Sequence, residues 1–111
     1  MTPADELAPA ARFAAHCRAS ELAYQWDTAA EVAVFYPRLG PGLEWRISAG
    51  AGTVYSVTWL HPPDGDAYNV ALIDLNEGFR MMSRVEAETV EIGWRVQVAF
   101  DTDAVPFFVP A

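Results

Sequence analysis

The side chains of this chain whose types most invite a chemical reading are its two histidines, one cysteine and its arginines, and its 111 residues include no lysine. His61 heads the segment His61-Pro62-Pro63, where an imidazole could serve as acid or base near neutral pH or hold a carbonyl oxygen. The plainer reading is a solvent-exposed loop histidine. Arg38, Arg80 and Arg84, together with Arg46, offer planar forks that match phosphate oxygens, and match equally well the fifteen acidic side chains around them. Cys17 sits among alanines, the setting of a buried, inert thiol. His16 beside it faces another side of any helix, so the two do not form a ready Cys-His pair. Asp64-Gly65-Asp66 is a fragment of a calcium loop without the remaining ligands, so no metal site is expected.

What is missing narrows the chemistry further. Without a primary amine on any side chain, Schiff-base catalysis and P-loop phosphate binding are both excluded. A single cysteine allows no internal disulfide and no thiolate cluster. The formal net charge of −8 opposes nucleic-acid binding, which needs a basic stripe to displace counterions from phosphates. The start, Thr2-Pro3-Ala4-Asp5-Glu6, is acidic where a signal peptide would be basic, and no apolar run reaches membrane-spanning length. A cytoplasmic protein without a membrane segment is the expectation.

These side chains must be positioned by a mainly β chain. Over residues 4–19, Leu7, Ala10, Ala14 and Cys17 recur at helical spacing, with Asp5 and Glu6 in the first turn and Arg18 in the last. Residues 22–26 and 31–36 read as strands of a hairpin around Asp27-Thr28-Ala29-Ala30, stopped by Pro37. Strand character returns at 43–47, 53–59, 68–75, 79–85 and 94–100, between glycine- and proline-rich turns. Five closely spaced strands after a helix and hairpin predict a small barrel, most simply an OB fold. The tail Val105-Pro106-Phe107-Phe108-Val109-Pro110 cannot bury both rings by strand alternation, so Phe107 or Phe108 is expected at a partner interface. Met81 and Met82 form a soft apolar pair suited to the same interface or to the core. One compact unit is expected, with the helix and hairpin in residues 1–42 and the barrel with its apolar tail in 43–111.

The segments Phe35-Tyr36-Pro37-Arg38, Leu43-Glu44-Trp45, Gly50-Ala51-Gly52-Thr53-Val54-Tyr55, Val70-Ala71-Leu72-Ile73-Asp74-Leu75 and Gly78-Phe79-Arg80-Met81-Met82-Ser83 occur in this order, followed by Val96-Gln97-Val98-Ala99-Phe100. Together they resemble the acyl-CoA-associated OB-fold family, whose members carry a rubredoxin-like zinc ribbon before the barrel. The resemblance runs from about Phe13 onward. It implies an accessory subunit of a thiolase-like acyl-CoA enzyme, of thiolase, retro-aldolase or acyltransferase type, with a coenzyme A thioester as substrate of the complex and no cofactor on this chain. The implied partner is a thiolase-like or sterol-carrier-type thiolase subunit, in a hetero-oligomer. On this reading Arg38, Arg80 and Arg84 are candidates for the coenzyme A phosphates.

The chain departs from that family in its ribbon. The first cysteine pair would fall at Asp27 and Ala30, and the second in the shortened Leu39-Gly40-Pro41-Gly42, so no thiolate remains to bind zinc. A degenerate, metal-free ribbon is predicted, held by packing of Tyr24, Trp26, Phe35 and Tyr36. The alternative to the subunit reading is a stand-alone module that binds acyl-CoA or another small ligand.

Overall fold

Proline at the first helical position, where its missing N–H costs nothing, starts the helix that the alanine-rich segment predicts. The computed structural model describes residues 8–111. In it α1 spans Pro9–Arg18 with Ala8 as its N-cap and His16 and Arg18 in its last turn. Leu7 and the expected first-turn acids Asp5 and Glu6 lie outside the described residues. Ser20, at φ 59, turns the chain out of the helix into β1.

Eight strands follow: β1 (Leu22–Asp27), β2 (Val32–Val34), β3 (Leu43–Ser48), β4 (Ala51–Leu60), β5 (Tyr68–Leu75), β6 (Arg80–Ser83), β7 (Arg95–Phe100) and β8 (Pro106–Pro110). They form a three-stranded sheet in the order β2-β1-β3 and a five-stranded sheet in the order β6-β5-β4-β7-β8. The predicted hairpin is the antiparallel β1–β2 pair, with Trp26 opposite Ala33. The strand predicted at 43–47 forms as β3 and pairs with β1 along its whole length, not with the barrel strands. Gly50, at φ +78, makes the turn from one sheet to the other, and a Cβ there would run into Val98.

The five-stranded sheet curls until its two outer strands meet. Phe108 N–H donates to the Arg84 carbonyl at 2.9 Å, and Glu86 N–H donates to the Phe108 carbonyl at 2.8 Å. Val85 and Phe108 thereby form a parallel bridge that closes the barrel. Antiparallel neighbours with one parallel closure between the third and fifth strands are the topology of an OB fold. A bulge between Val54 and Ser56 bends β4 across the barrel and turns Tyr55 outward.

One core spans both sheets. Val54, Ile73, Val85, Val96 and Phe108 fill the barrel, and Leu22 and Tyr24 bring β1 onto it. Phe79, just before β6, forms the seam: its ring stacks on Tyr24 at 4.9 Å and on Phe35 at 5.2 Å, between centroids. Phe13 of α1 then meets Phe35 edge-on at 5.5 Å. Tyr24 and Phe35 therefore hold the ribbon as predicted. Tyr36 does not: it is largely exposed, because the chain leaves β2 before reaching it.

Candidate functional site

A groove of about 440 Å³ opens where α1 and the segment after β2 lie over the barrel wall. Phe13 and Phe35 form one side, Val70, Met81 and Met82 the floor, and Val105 and Pro106 the far rim. The lining is apolar apart from Asn69, Ser83 and Arg84 at its end. Two further concavities continue it, one past Arg84 towards Trp59 and Tyr68, the other past Phe13 towards Cys17 and Arg18.

Alternation along β6 sets its floor. Met81 points into the core at 3% exposure, while Met82, one residue on, faces out at 60%. Asn69 fixes the strand's exit: its buried amide donates to the Val85 carbonyl and accepts the Val85 N–H, both at 2.8 Å. Ser83 Oγ donates to the Pro106 carbonyl at 3.2 Å, tying the floor to the rim. Arg84 lies with its guanidinium carbon 4.4 Å from the centre of the Phe107 ring and pairs with Glu86.

Of the residues singled out from sequence, Arg84, Met81 and Met82 come together along this groove. The others are dispersed. His61 is exposed beyond the end of β4 and makes no side-chain hydrogen bond among the described residues. Arg38 pairs with Asp27 at 3.4 Å, and Arg46 with Glu44 at 2.8 Å. Arg80 holds Asp74 through two bonds of 2.6 and 3.2 Å while its guanidinium stacks 3.5 Å over Tyr55. The Asp74 hydrogen bond, ahead of its charge, keeps this guanidinium protonated even more firmly than usual. These three arginines are occupied by neighbouring acids, and they do not converge on a common pocket. Burial holds the Cys17 thiol protonated to higher pH than usual, against the opposing pull of Arg18, which is the inert cysteine expected.

The interface expectation needs correcting at two positions. Phe108, at 0% exposure, is the plug of the barrel, and Met81, at 3%, is core that contributes to the groove floor, so neither is an exposed side chain of the kind expected at an interface. The tail resolves the problem of its two rings by becoming β8: alternation sends Phe108 inward and leaves Phe107 half-buried beneath Arg84.

The ribbon positions do not fit a metal. Asp27 Oδ1 accepts the N–H groups of Ala29 and Ala30, both at 3.0 Å, and Oδ2 accepts from Arg38. Among the described residues no group of His, Cys, Asp and Glu is arranged to hold an ion. A polar clasp joins the hairpin to the following loop instead. The buried amide of Gln25 donates to the Arg38 carbonyl and accepts the Arg38 N–H, both at 2.9 Å, and Thr28 reaches the Gly42 carbonyl through its N–H and its hydroxyl. Gln25 and Asn69 escaped the sequence reading, although each is a lone amide inside an apolar strand. That pattern marks a side chain replacing ladder bonds.

Fold and site together define an OB-fold domain that carries a ribbon-like N-terminal hairpin. The family model for the C-terminal OB-fold domain of ChsH2 matches residues 45–101, half of the chain, and the chain belongs to that family. No curated protein matches the sequence. Among solved structures, the chain is similar to one described as an Ltp2-ChsH2(DUF35) aldolase, at 25% identity and a TM-score of 0.77 over 98% of both chains. No helix among the described residues is long and apolar enough to cross a membrane.

Proposed function

We propose that this chain is an accessory OB-fold subunit of a thiolase-like acyl-CoA enzyme that makes or cleaves a carbon–carbon bond beside a thioester. The principal catalytic groups come from the partner; this chain supports the partner's fold and its acyl-CoA site. The observation that carries the reading is the likeness, over 98% of each chain, to a protein of an Ltp2-ChsH2(DUF35) aldolase. The dispersal of His61, Arg38 and Arg80 agrees with it, since catalysis on one chain needs acid, base and binding groups within reach of one another. The coenzyme A thioester is the substrate of the complex, and the cytoplasm is its setting.

The test is co-expression with a thiolase-like protein, followed by size-exclusion chromatography with light scattering and an acyl-CoA cleavage assay. A stable hetero-complex with activity above that of either part supports the reading. A chain that never associates would overturn it. The open apolar groove with Arg84 at its end favours one second reading, a stand-alone binding module for an acyl-CoA or similar ligand. Calorimetric titration of the isolated chain with an acyl-CoA separates the two, because only the module binds without a partner.

A further inference from the structure

The outer edge of β3 is an unpaired strand edge among the described residues, and its sequence is complementary to itself. Thr28 N–H donates to the Gly42 carbonyl at 2.8 Å, which makes these two a hydrogen-bonded pair at the start of the β1–β3 ladder. The register then runs without a slip from Asp27 opposite Leu43 to Leu22 opposite Ser48. In an antiparallel ladder hydrogen-bonded pairs alternate, so Glu44, Arg46 and Ser48 bond to β1, while Leu43, Trp45 and Ile47 turn their N–H and C=O groups away from it. None of those outward groups has a backbone partner among the described residues. Ile47 is 47% exposed at this edge. The other edge of the sheet, β2, is only three residues long.

We propose that two copies of this chain pair antiparallel through β3, about a two-fold axis at Trp45. Set against itself, Leu43-Glu44-Trp45-Arg46-Ile47 places Leu43 opposite Ile47 and Glu44 opposite Arg46, with Trp45 opposite its own copy. Every cross-strand pair is then apolar against apolar or acid against base. Glu44 and Arg46 already lie side by side on one face, 2.8 Å apart, so pairing forms a ring of four alternating charges. Trp45 supplies both of its outward backbone groups to the axis, the arrangement of a hydrogen-bonded pair. The contact is isologous and closed, and it covers an edge that would otherwise template open-ended association.

Sedimentation of the full chain from about micromolar to about millimolar concentration tests this. The 12.2 kDa chain is expected to double in mass with rising concentration. Arg46→Glu sets acid against acid and is expected to weaken the dimer about tenfold or more. Glu44→Arg/Arg46→Glu together restore opposite charges across the axis and should return the constant to within about threefold. Ile47→Pro removes an edge donor that the β1 ladder does not use, and should leave a folded monomer, as checked by its thermal melt. A chain that stays monomeric at every concentration overturns the proposal. So does a dimer indifferent to Arg46→Glu and Ile47→Pro, or a folded double variant that remains as weak as Arg46→Glu.

Discussion

The barrel and the small sheet before it are held together by different means. The barrel closes through its backbone, β6 against β8, over a core of fully buried apolar side chains. The three-stranded sheet has a helix on it and a ribbon loop beside it, and its tie to that loop is a set of polar side chains, Gln25, Asp27 and Thr28. Charge divides the same way. In residues 8–48 the arginines Arg12, Arg18, Arg38 and Arg46 balance Glu21, Asp27, Glu31 and Glu44, whereas in the barrel three arginines stand among a clear excess of acids. Apolar volume makes the fold, while amides and carboxylates fix where one loop lies. Among the described residues the ring of Phe79, stacked between Tyr24 and Phe35, is the aromatic link between the two regions, beside the aliphatic contact of Leu22 with the barrel core.

The largest effect is expected from Phe108→Ala. It empties the centre of the barrel and loosens its closure, so chemical denaturation should show a loss at the upper end of about 3–5 kcal/mol, with both regions failing together. Phe79→Ala should cost about 3 kcal/mol and, because it cuts the seam, separate the tryptophan-fluorescence and circular-dichroism transitions, which are expected to coincide in the parent. A single shared transition in that variant would show that other contacts couple the sheets. Gln25→Ala should cost about 1–3 kcal/mol and speed hydrogen exchange in residues 36–42, leaving barrel amides unchanged. The smallest effect is expected at Cys17. Its folded thiol keeps its proton to higher pH than the unfolded one, so the stability it contributes is whole below the ordinary value of 9.0 and declines as pH rises beyond it. Cys17→Ala should flatten that alkaline decline in a pH series of melts.

Much of the barrel could be read from sequence because β-branched and aromatic residues alternate between strong turn formers, as in β5 from Tyr68 to Leu75. The partnership of β3 could not. Leu43-Glu44-Trp45-Arg46 alternates equally well for either sheet, and its choice of β1 is a long-range pairing that local pattern does not encode. At the groove, Arg84 and Met82 were visible as chemistry-bearing types, but their convergence with Phe13 depends on how α1 crosses the barrel. Phe107 and Phe108 were recognised as a pair that alternation would separate, yet which ring goes inward follows from the register of β8 with β7.

The clasp also shapes the order of events during folding. Gln25 and Arg38 are 13 residues apart, so the loop they close is short and its entropic cost low. β4 can pair with β5 as soon as both are made, but its other edge waits for β7 to bring Arg95 opposite Thr53, and the barrel waits longer still for Phe108. Residues 22–48 can therefore acquire their pairing while the barrel strands are still being synthesised, and the slow, aggregation-exposed interval falls between the emergence of β4 and the arrival of β8.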